Sequence, residues 1–294
     1  KTLIRLVVTG PEDPKVFQLT DNPSGTVELA FSSYPPLGRN GCEKHKNVQQ
    51  MYMVSGVDID HPSRIATGNA LKCGSETRAE KNWIPFRREG GLYFVYSIVP
   101  HVVMKVNQDG TCGSKVYSNF GPLTKLQAQF PGYFFSGSAQ AVFVNDTQAT
   151  PQLPRPHYLA LFHVRDPKTK RYAHFAYRFN TDPPYQILQV SAQLPLKAAR
   201  TEDGGAGFSF ASGLGIRDRQ VVISYAAGDR ESRALVMTLW KLDDMFNPAH
   251  VPEEEPPSKP ASTQRGATPA SAWIAGAVFG LICVLAAWPL LLLL

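Results

Sequence analysis

The sequence predicts an all-β propeller, and two observations carry that prediction. Four polar or charged clusters, at 10–15, 80–83, 136–140 and 210–214, each open onto alternating apolar residues, a turn and a second alternating run. A unit of short strands that repeats every several tens of residues is typical of a propeller blade. The runs are rich in β-branched and aromatic residues, which favours strands over helices. Because the clusters recur at the start of each unit, we expect them to meet around one central pocket.

The individual elements follow from alternation and turn residues. In 26–32 the apolar residues Val27, Leu29 and Phe31 share one face, directly after the turn-forming residues 21–25. The segment 239–246 has the pattern of a short helix, and 34–47, rich in Gly, Pro and charge, indicates a loop at the pocket rim. Predicted strands are 26–32, 51–54, 92–98, 102–106, 140–144, 158–164, 172–179, 187–192, 207–215, 221–226 and 234–241.

Composition places the chain among ordinary folded proteins. Its 294 residues are 43% apolar and 18% charged, enough for one large β domain with a substantial core. The formal net charge of +6 is spread along the chain. No basic stripe is interleaved with aromatic residues, so we expect no nucleic-acid partner.

The C-terminal part predicts attachment to a membrane. Residues 272–294 are apolar, with Trp273 and Trp288 near the two ends, and are long enough to cross a bilayer as a helix. The preceding acidic and Pro/Ser/Thr-rich residues are typical of a disordered stalk. Two interpretations stay open, a transmembrane helix and a signal for a glycolipid (GPI) anchor. The predicted organisation is a propeller domain at 1–247, a stalk at 248–271 and the membrane segment at 272–294, in the secretory pathway.

Cysteines and a glycosylation triplet agree with that route. Of the four cysteines, Cys283 lies in the apolar run, so Cys42, Cys73 and Cys112 allow at most one disulfide. We predict Cys73–Cys112, because these two flank the same blade. The acceptor sequence at 145–147 is expected in a turn between strands. The chain begins at Lys1 without a methionine, and we interpret it as a fragment that lacks its N-terminal part.

Two of the four clusters contain residues suited to catalysis and binding. Asp13, between Glu12 and Pro14 ahead of a strand, is held on a rigid turn, and a carboxylate there that faces an enclosed pocket could act as a general acid. Lys81 and Asn82, ahead of Trp83, are poor strand residues and suit recognition of anions and hydroxyl groups. For Asp13 the alternative is a residue that closes a turn; for Trp83 it is a core anchor.

Four short motifs occur in a fixed order along 6–242. They are Gly-Pro-Glu-Asp-Pro-Lys-Val-Phe at 10–17, Glu-Lys-Asn-Trp-Ile-Pro-Phe at 80–86 with 92–101, Ser-Gly-Ser-Ala-Gln at 136–140 with 158–163 and 177–185, and Phe-Ala-Ser-Gly-Leu at 210–214 with 223–229. In this order they resemble the motifs of the propeller β-mannoside phosphorylases and the related β-1,2-mannosyltransferases. The resemblance implies a five-bladed propeller, with its N-terminal blade incomplete in this sequence.

The resemblance also implies a mechanism. Asp13 would be the single essential general acid, protonating the glycosidic oxygen through a hydroxyl of the bound mannose, with inversion at the anomeric carbon. Phosphate, or a sugar hydroxyl, would take the place of the water used by hydrolases, which need two carboxylates. This chemistry needs no metal and no organic cofactor. The predicted substrate-binding residues are Lys15, Lys81, Asn82, His101, His163 and Asp229; for His163 a place in the β core stays equally open.

The sequence therefore predicts a carbohydrate-active enzyme that transfers or phosphorolyses β-mannosyl groups, with a carbohydrate and inorganic phosphate or a sugar phosphate as partners. Lys15 stands where the family has Arg, and Lys lacks the planar two-pronged contact with an oxyanion, which favours transfer over phosphorolysis. Two alternatives stay open. One is a non-catalytic sugar-binding propeller on a membrane stalk; the other is a hydrolase of a related five-bladed family, for which Glu12, Glu80 and Asp229 are the further carboxylates.

Overall fold

The computed structural model describes residues 12–18, 26–33, 49–58, 69–73, 79–118, 121–199, 207–228 and 230–246. All of them belong to one compact unit, Lys1–Pro248. The predicted stalk and apolar tail lie outside the described residues, so membrane attachment stays a prediction. Within the described part, no helix is both long enough and apolar enough to cross a bilayer.

The described residues form four antiparallel sheets. In chain order, sheet 1 holds β1 (Glu12–Gln18), β2 (Thr26–Ser33), β3 (Gln50–Asp58) and β4 (Asn69–Ala70). Sheet 2 holds β5 (Ile84–Arg88), β6 (Gly91–Ser97), β7 (His101–Val106) and β8 (Val116–Ser118). Sheet 3 holds β9 (Phe134–Gly137), β10 (Val142–Val144), β11 (His157–Arg165), β12 (Tyr172–Phe179) and β13 (Ile187–Gln193). Sheet 4 holds β14 (Ser209–Arg217), β15 (Gln220–Ala227) and β16 (Glu231–Thr238). Helix α1 (Gly121–Gln129) precedes sheet 3, and α2 (Leu239–Phe246) follows sheet 4.

Contacts between neighbouring sheets close a ring. The strand β1 contacts both β5 and β14, β6 contacts β9, and β10 contacts β14. The first strand of each sheet therefore faces its neighbours and is the inner strand; in sheet 3 the inner strand is β9 and β10 together, which pair with successive halves of β11. This is the propeller-like arrangement that the repeat predicted. The expected number of five blades is not confirmed, since the described residues form four.

The core lies between the sheets. One cluster of buried side chains packs sheet 1 on sheet 2 around Trp83, a second packs sheet 2 on sheet 3 around Phe86 and Phe162, and a third packs sheet 3 on sheet 4 and α2 around Leu161 and Leu242. Trp83 is 1% exposed, so the core-anchor interpretation of this residue is confirmed. Burial between faces of adjacent sheets is what fixes the order of the blades.

Two covalent or ionic contacts reinforce the packing. The predicted disulfide is confirmed: Cys73, which follows β4, is bonded to Cys112, between β7 and β8, with a Cα–Cα distance of 5.0 Å. Arg178 on β12 forms a buried ion pair with Asp243 on α2, and the Arg178 guanidinium carbon lies 4.1 Å from the centre of the Phe246 ring. The short helix predicted at 239–246 is thus present and is anchored to sheet 3.

Candidate active site

A cavity of about 460 Å³ opens where the inner strands of the four sheets begin. Its lining comes from the start of β1, the segment ahead of β5, the strand β9 and the start of β14, together with the end of β11 and the first residue of β12. The volume lies in the range of small-molecule sites. The prediction that the recurring clusters meet at one pocket is confirmed for these elements. The lining residues are Glu12, Asp13, Ala79, Lys81, Asn82, Phe134, Ser136, His163, Arg165, Tyr172, Phe208 and Phe210.

Asp13 reaches the cavity through a β-bulge. The pairing of β1 with β2 shifts register between Glu12 and Lys15, so three steps on β1 match two on β2. Asp13 lies in this bulge with a φ of 52°. This is the left-handed region of backbone conformation, which residues other than Gly, Asn and Asp rarely adopt. A bulge re-aims one side chain of a strand. Here it interrupts the alternation of β1 and places Asp13 in the cavity wall.

Asn82 has the same backbone conformation directly ahead of β5. Its φ is 62°, and its side chain is only 9% exposed. Seven of the described non-glycine residues have a positive φ. Five of them lie in connections between paired strands, whereas the other two, Asp13 and Asn82, line the cavity. The Asn82 Oδ1 atom is buried and has no hydrogen-bond partner among the described residues. A buried acceptor of this kind is costly unless a ligand donates to it.

Lys15 lies beneath Asp13 in the wall of sheet 1. It is 1% exposed, and its Nζ donates to the backbone carbonyl oxygen of Asp13 at 3.4 Å. Burial lowers the Lys15 pKa to about 8, and the charge of Asp13 opposes that shift. Lys15 therefore holds the Asp13 backbone and carries a proton that is unusually easy to remove.

Three cations converge on one buried imidazole. His163 on β11 is 3% exposed, and its pKa lies well below the usual value because of burial, the neighbouring His174 and the charges of Lys15, Lys81 and Arg165. The neutral ring shares a hydrogen bond of 3.0 Å with Ser138 Oγ, so it is held in place without being charged. Arg165 lies two residues further along β11, on the same face of the strand as His163. Its buried Nε has no hydrogen-bond partner among the described residues.

Aromatic rings form the remaining wall. Phe210 on β14 lies 5.2 Å from the His163 ring and 5.6 Å from the Tyr172 ring, measured between centroids. The Phe208 ring lies 5.8 Å from the Tyr172 ring. The guanidinium carbon of Arg165 lies 5.8 Å from the centre of the Phe134 ring. Flat apolar rings beside polar groups suit a ligand with both apolar and hydroxyl-bearing faces.

A second cavity of about 710 Å³ adjoins the first. The two share Ala79, Lys81, Asn82, Phe134 and Ser136, and the second is further lined by Tyr96, Lys115 and Tyr117 among others. Lys115 Nζ stands 4.3 Å from the centre of the Tyr96 ring. The two cavities are therefore neighbours that have five wall residues in common.

The structure brings together five of the predicted site residues, namely Asp13, Lys81, Asn82 and His163 in the lining, with Lys15 directly behind it. It does not bring His101 there. His101 is 2% exposed, packs on the rings of Tyr177 and Phe179 between sheets 2 and 3, and shares a hydrogen bond with Ser118. Burial lowers its pKa to about 3. The prediction that His101 binds substrate is therefore wrong, because His101 is the first residue of β7 and its side chain is enclosed between two sheets.

Two further predicted residues, Asp229 and Glu80, are not among the described residues that line the cavity. Asp229 lies outside the described residues, so its predicted sugar contact is untested. Glu80 is buried behind the cavity, where its two carboxylate oxygens accept hydrogen bonds from Trp83 Nε1 at 3.2 Å and the Tyr96 hydroxyl at 3.0 Å. Glu80 is therefore a wall-stabilising residue. Among the described residues, no group of three His, Cys, Asp or Glu side chains is arranged to hold a metal ion.

Sequence reasoning missed Arg165 and Tyr172. The antiparallel pairing of β11 with β12 brings Arg165 opposite Tyr172, and its pairing with β9 brings His163 opposite Ser136. The only sequence signal was the position of Arg165 and Tyr172 on either side of the connection between the predicted strands 158–164 and 172–179. That pattern is also that of two solvated residues, so nothing in the sequence singled them out.

Comparisons with known proteins place the fold. No model of a known protein family matches the chain, and no curated protein matches it in sequence. The structure of β-1,2-mannobiose phosphorylase from Listeria innocua, in complex with β-1,2-mannobiose, matches with a TM-score of 0.52 and 14% identity, over 81% of this chain and 60% of the phosphorylase. A glycosyl hydrolase from Bacteroides ovatus matches with a TM-score of 0.49 and 12% identity, over 78% of this chain and 65% of the hydrolase. At such identities the likeness to the phosphorylase shows a shared fold, and the chain spans less than two thirds of the length of either protein.

Proposed function

We propose that this chain is a carbohydrate-active enzyme that transfers a glycosyl group of the β-mannosyl class, with Asp13 as its general acid. The observation that carries the proposal is the backbone of Asp13, held at a φ of 52° in a bulge at the cavity wall. Such conformations persist where the surrounding structure enforces them, and they cluster at functional sites. The fold shared with the Listeria innocua β-1,2-mannobiose phosphorylase supports the choice of sugar.

The acid step uses groups that face the same space. Asp13 donates a proton to the departing glycosidic oxygen, directly or through a hydroxyl group of the bound sugar. Asn82 Oδ1, buried and without a partner among the described residues, accepts a hydrogen bond from another sugar hydroxyl. The rings of Phe210 and Tyr172 cover the apolar face of the sugar. These contacts fix the anomeric carbon between the acid and the incoming group.

The incoming group is an anion in this proposal, inorganic phosphate or, in the reverse direction, a sugar phosphate. Lys81 and Arg165 line the cavity, Lys15 lies directly behind it, and the charges of all three lower the pKa of His163. The β-mannoside phosphorylases have an Arg at the position of Lys15 in β1. In this chain Arg165 on β11 supplies a guanidinium to the cavity instead. This cluster weakens the preference for sugar transfer that Lys15 alone suggested, and it supports phosphorolysis.

A hydrolase with paired carboxylates has less support. Of the candidate carboxylates, Glu80 is held behind the wall by Trp83 and Tyr96. Glu12 lines the cavity, but its Oε2 accepts a hydrogen bond from Gln49 Nε2 at 2.6 Å, so its carboxyl group is held by a neighbouring side chain of the same sheet region. Glu12 therefore provides a matched control for the acid role of Asp13.

The test is an activity assay on the full chain with mannose 1-phosphate and β-mannoside acceptors, and in the opposite direction with β-mannobiose and phosphate. We expect oligosaccharide synthesis in the first and release of mannose 1-phosphate in the second. Replacing Asp13 with Asn should lower turnover by roughly 10²–10⁴-fold while leaving sugar binding intact. Replacing Glu12 with Gln should lower it by less than tenfold.

Other outcomes separate the alternatives. Release of free mannose from β-mannobiose without phosphate, lost in both Asp13→Asn and Glu12→Gln, would instead identify a hydrolase. Tight sugar binding without turnover of any donor, unchanged by Asp13→Asn, would identify a sugar-binding propeller. Either result would overturn the phosphorylase proposal.

A further inference from the structure

The turn that follows β10 presents the acceptor triplet Asn145-Asp146-Thr147 on the protein surface. All three residues are exposed. The hydrogen bonds of the Asn145 side chain within the described residues use Oδ1, which accepts from the Thr147 backbone nitrogen at 3.1 Å and from the Thr147 hydroxyl at 2.8 Å. The nitrogen Nδ2, the atom that would carry a sugar, lies outside these contacts. The sequence contains no other Asn-x-Ser/Thr triplet in which x differs from Pro.

The exposed side chain of Phe143 lies two residues ahead of Asn145. Phe143 is on β10, which ends at Val144, and Asn145 is the first residue after the strand. Phe143 and Asn145 are both exposed, whereas Val144 between them is 1% exposed, so both 143 and 145 are on the solvent side. Phe143 is 42% exposed and is supported from one side by the Tyr158 ring at 5.6 Å. It offers an exposed apolar surface two residues from Asn145.

This turn is remote from the cavity. Ser136, which lines the cavity, pairs with His163, whereas Val144 pairs with His157 at the other end of β11. Six residues of strand separate the two points, which corresponds to roughly 20 Å. A group attached at Asn145 would therefore not obstruct the proposed active site.

We propose that Asn145 is an N-glycosylation site and that the first sugar of the glycan packs on the Phe143 ring. In the attachment step Asn145 Nδ2 attacks the anomeric carbon of an oligosaccharide carried on a lipid diphosphate. A C–N bond forms, the C–O bond to the diphosphate breaks, one proton leaves Nδ2 and the lipid diphosphate departs. The Cys73–Cys112 disulfide independently indicates passage through the oxidising compartment in which this modification takes place. The proposal does not depend on the enzymatic activity.

The site is tested on the full chain expressed through the secretory pathway of a eukaryotic cell. Treatment with peptide N-glycosidase should remove the mass of one glycan and convert residue 145 from Asn to Asp, as located by peptide mass mapping. Thr147→Ala and Asn145→Gln should abolish the mass shift, and Thr147→Ser should retain it. A chain recovered from the secretory pathway with the mass of the bare polypeptide would overturn the site, as would a glycan that persists in both Thr147→Ala and Asn145→Gln.

The ring contact is tested by a double-mutant cycle. The melting temperatures of the glycosylated chain and of Thr147→Ala are compared in the presence of Phe143 and again with Phe143→Leu. We expect glycosylation to raise the melting temperature by roughly 2–4 °C more when Phe143 is present, the shift of one favourable contact in a domain of this size. Equal effects of glycosylation in both backgrounds would overturn the packing of the sugar on Phe143.

Discussion

Gly137 on β9 lies directly against the backbone of Asn82: a Cβ atom added at position 137 would stand 2.4 Å from the Asn82 carbonyl oxygen and 2.4 Å from Ile84 Cγ1. No side chain can occupy that space without moving the inner strands apart. This contact is where sheets 2 and 3 meet at the cavity, and it places Ser136 and Asn82 in the same wall. The cluster at 136–140 therefore lets sheets 2 and 3 approach each other closely at the cavity, and this approach requires the glycine at position 137.

The first prediction concerns this contact. Gly137→Ala should lower the free energy of unfolding by about 1–3 kcal/mol, because the added methyl group overpacks against backbone that cannot yield. It should also weaken sugar binding, since Asn82 must shift. Gly215→Ala on β14 is the matched control, because nothing lies within 4 Å of a Cβ atom there. Chemical denaturation and ligand titration measure both effects; equal stability of the two variants would contradict the prediction.

The second prediction is a loss of anion affinity above pH 8. Lys15 has a pKa of about 8, so it is mostly charged at pH 7 and mostly neutral at pH 9. If it contributes to the cation cluster, sulfate, a dianion that does not titrate in this range, should bind roughly tenfold more weakly at pH 9 than at pH 7. Isothermal titration calorimetry measures this. Lys15→Arg keeps its charge at both pH values and should remove most of the change; an unaltered pH profile in that variant would exclude Lys15 as the titrating group.

The same residue makes stability depend on pH in a defined direction. The folded-state pKa of Lys15 is lowered from 10.5 to about 8, so folding disfavours the protonated form. The destabilisation is fully present below pH 8 and disappears as the pH rises through 10.5. Lys15→Met should therefore be more stable than the unchanged protein at pH 7, and this advantage should shrink between pH 8 and pH 10. Urea denaturation at several pH values shows whether it does.

The third prediction concerns the buried pair of Arg178 and Asp243, whose side chains are 1% and 2% exposed. Asp243→Ala should lower the free energy of unfolding by about 3–5 kcal/mol, since it leaves a buried guanidinium without its partner. The double variant Arg178→Met with Asp243→Leu should recover much of that loss. The exposed pair of Arg88 and Asp182, 2.6 Å apart, is the control, and Asp182→Ala should cost less than about 1 kcal/mol. A double variant as unstable as Asp243→Ala would show that the charges themselves stabilise the fold.

The fourth prediction concerns the disulfide. Cys73 and Cys112 are 39 residues apart, and the loop-entropy relation gives a loss of about 4 kcal/mol when the bond is removed. Cys73→Ser with Cys112→Ser should show this loss in denaturation curves, and a reducing agent should destabilise the unchanged protein to a similar extent. Turnover at saturating substrate should stay within about twofold, because neither residue lines the cavities. A large loss of turnover in a folded variant would contradict the remote role assigned to this bond.

The sequence by itself determined the class of fold, the short helix at Leu239–Phe246, the pairing of Cys73 with Cys112 and the meeting of the openings around Asp13 and Asn82 at one cavity. These depend on local patterns: alternation, turn residues and polar residues that fit poorly in a strand. Strands β4, β8 and β9 and helix α1 were not predicted, because each is short and lacks a sustained period.

Only the tertiary structure decided which side chains share the cavity. His101 and His163 look alike in the sequence, each at or near a strand end, yet one is enclosed between two sheets and the other reaches the site. Arg165 and Tyr172 enter because strand pairing brings them together. Register and blade packing are set by burial along whole strands, over separations that no local pattern records, so the four openings predicted a shared pocket but not the cations and rings that complete it.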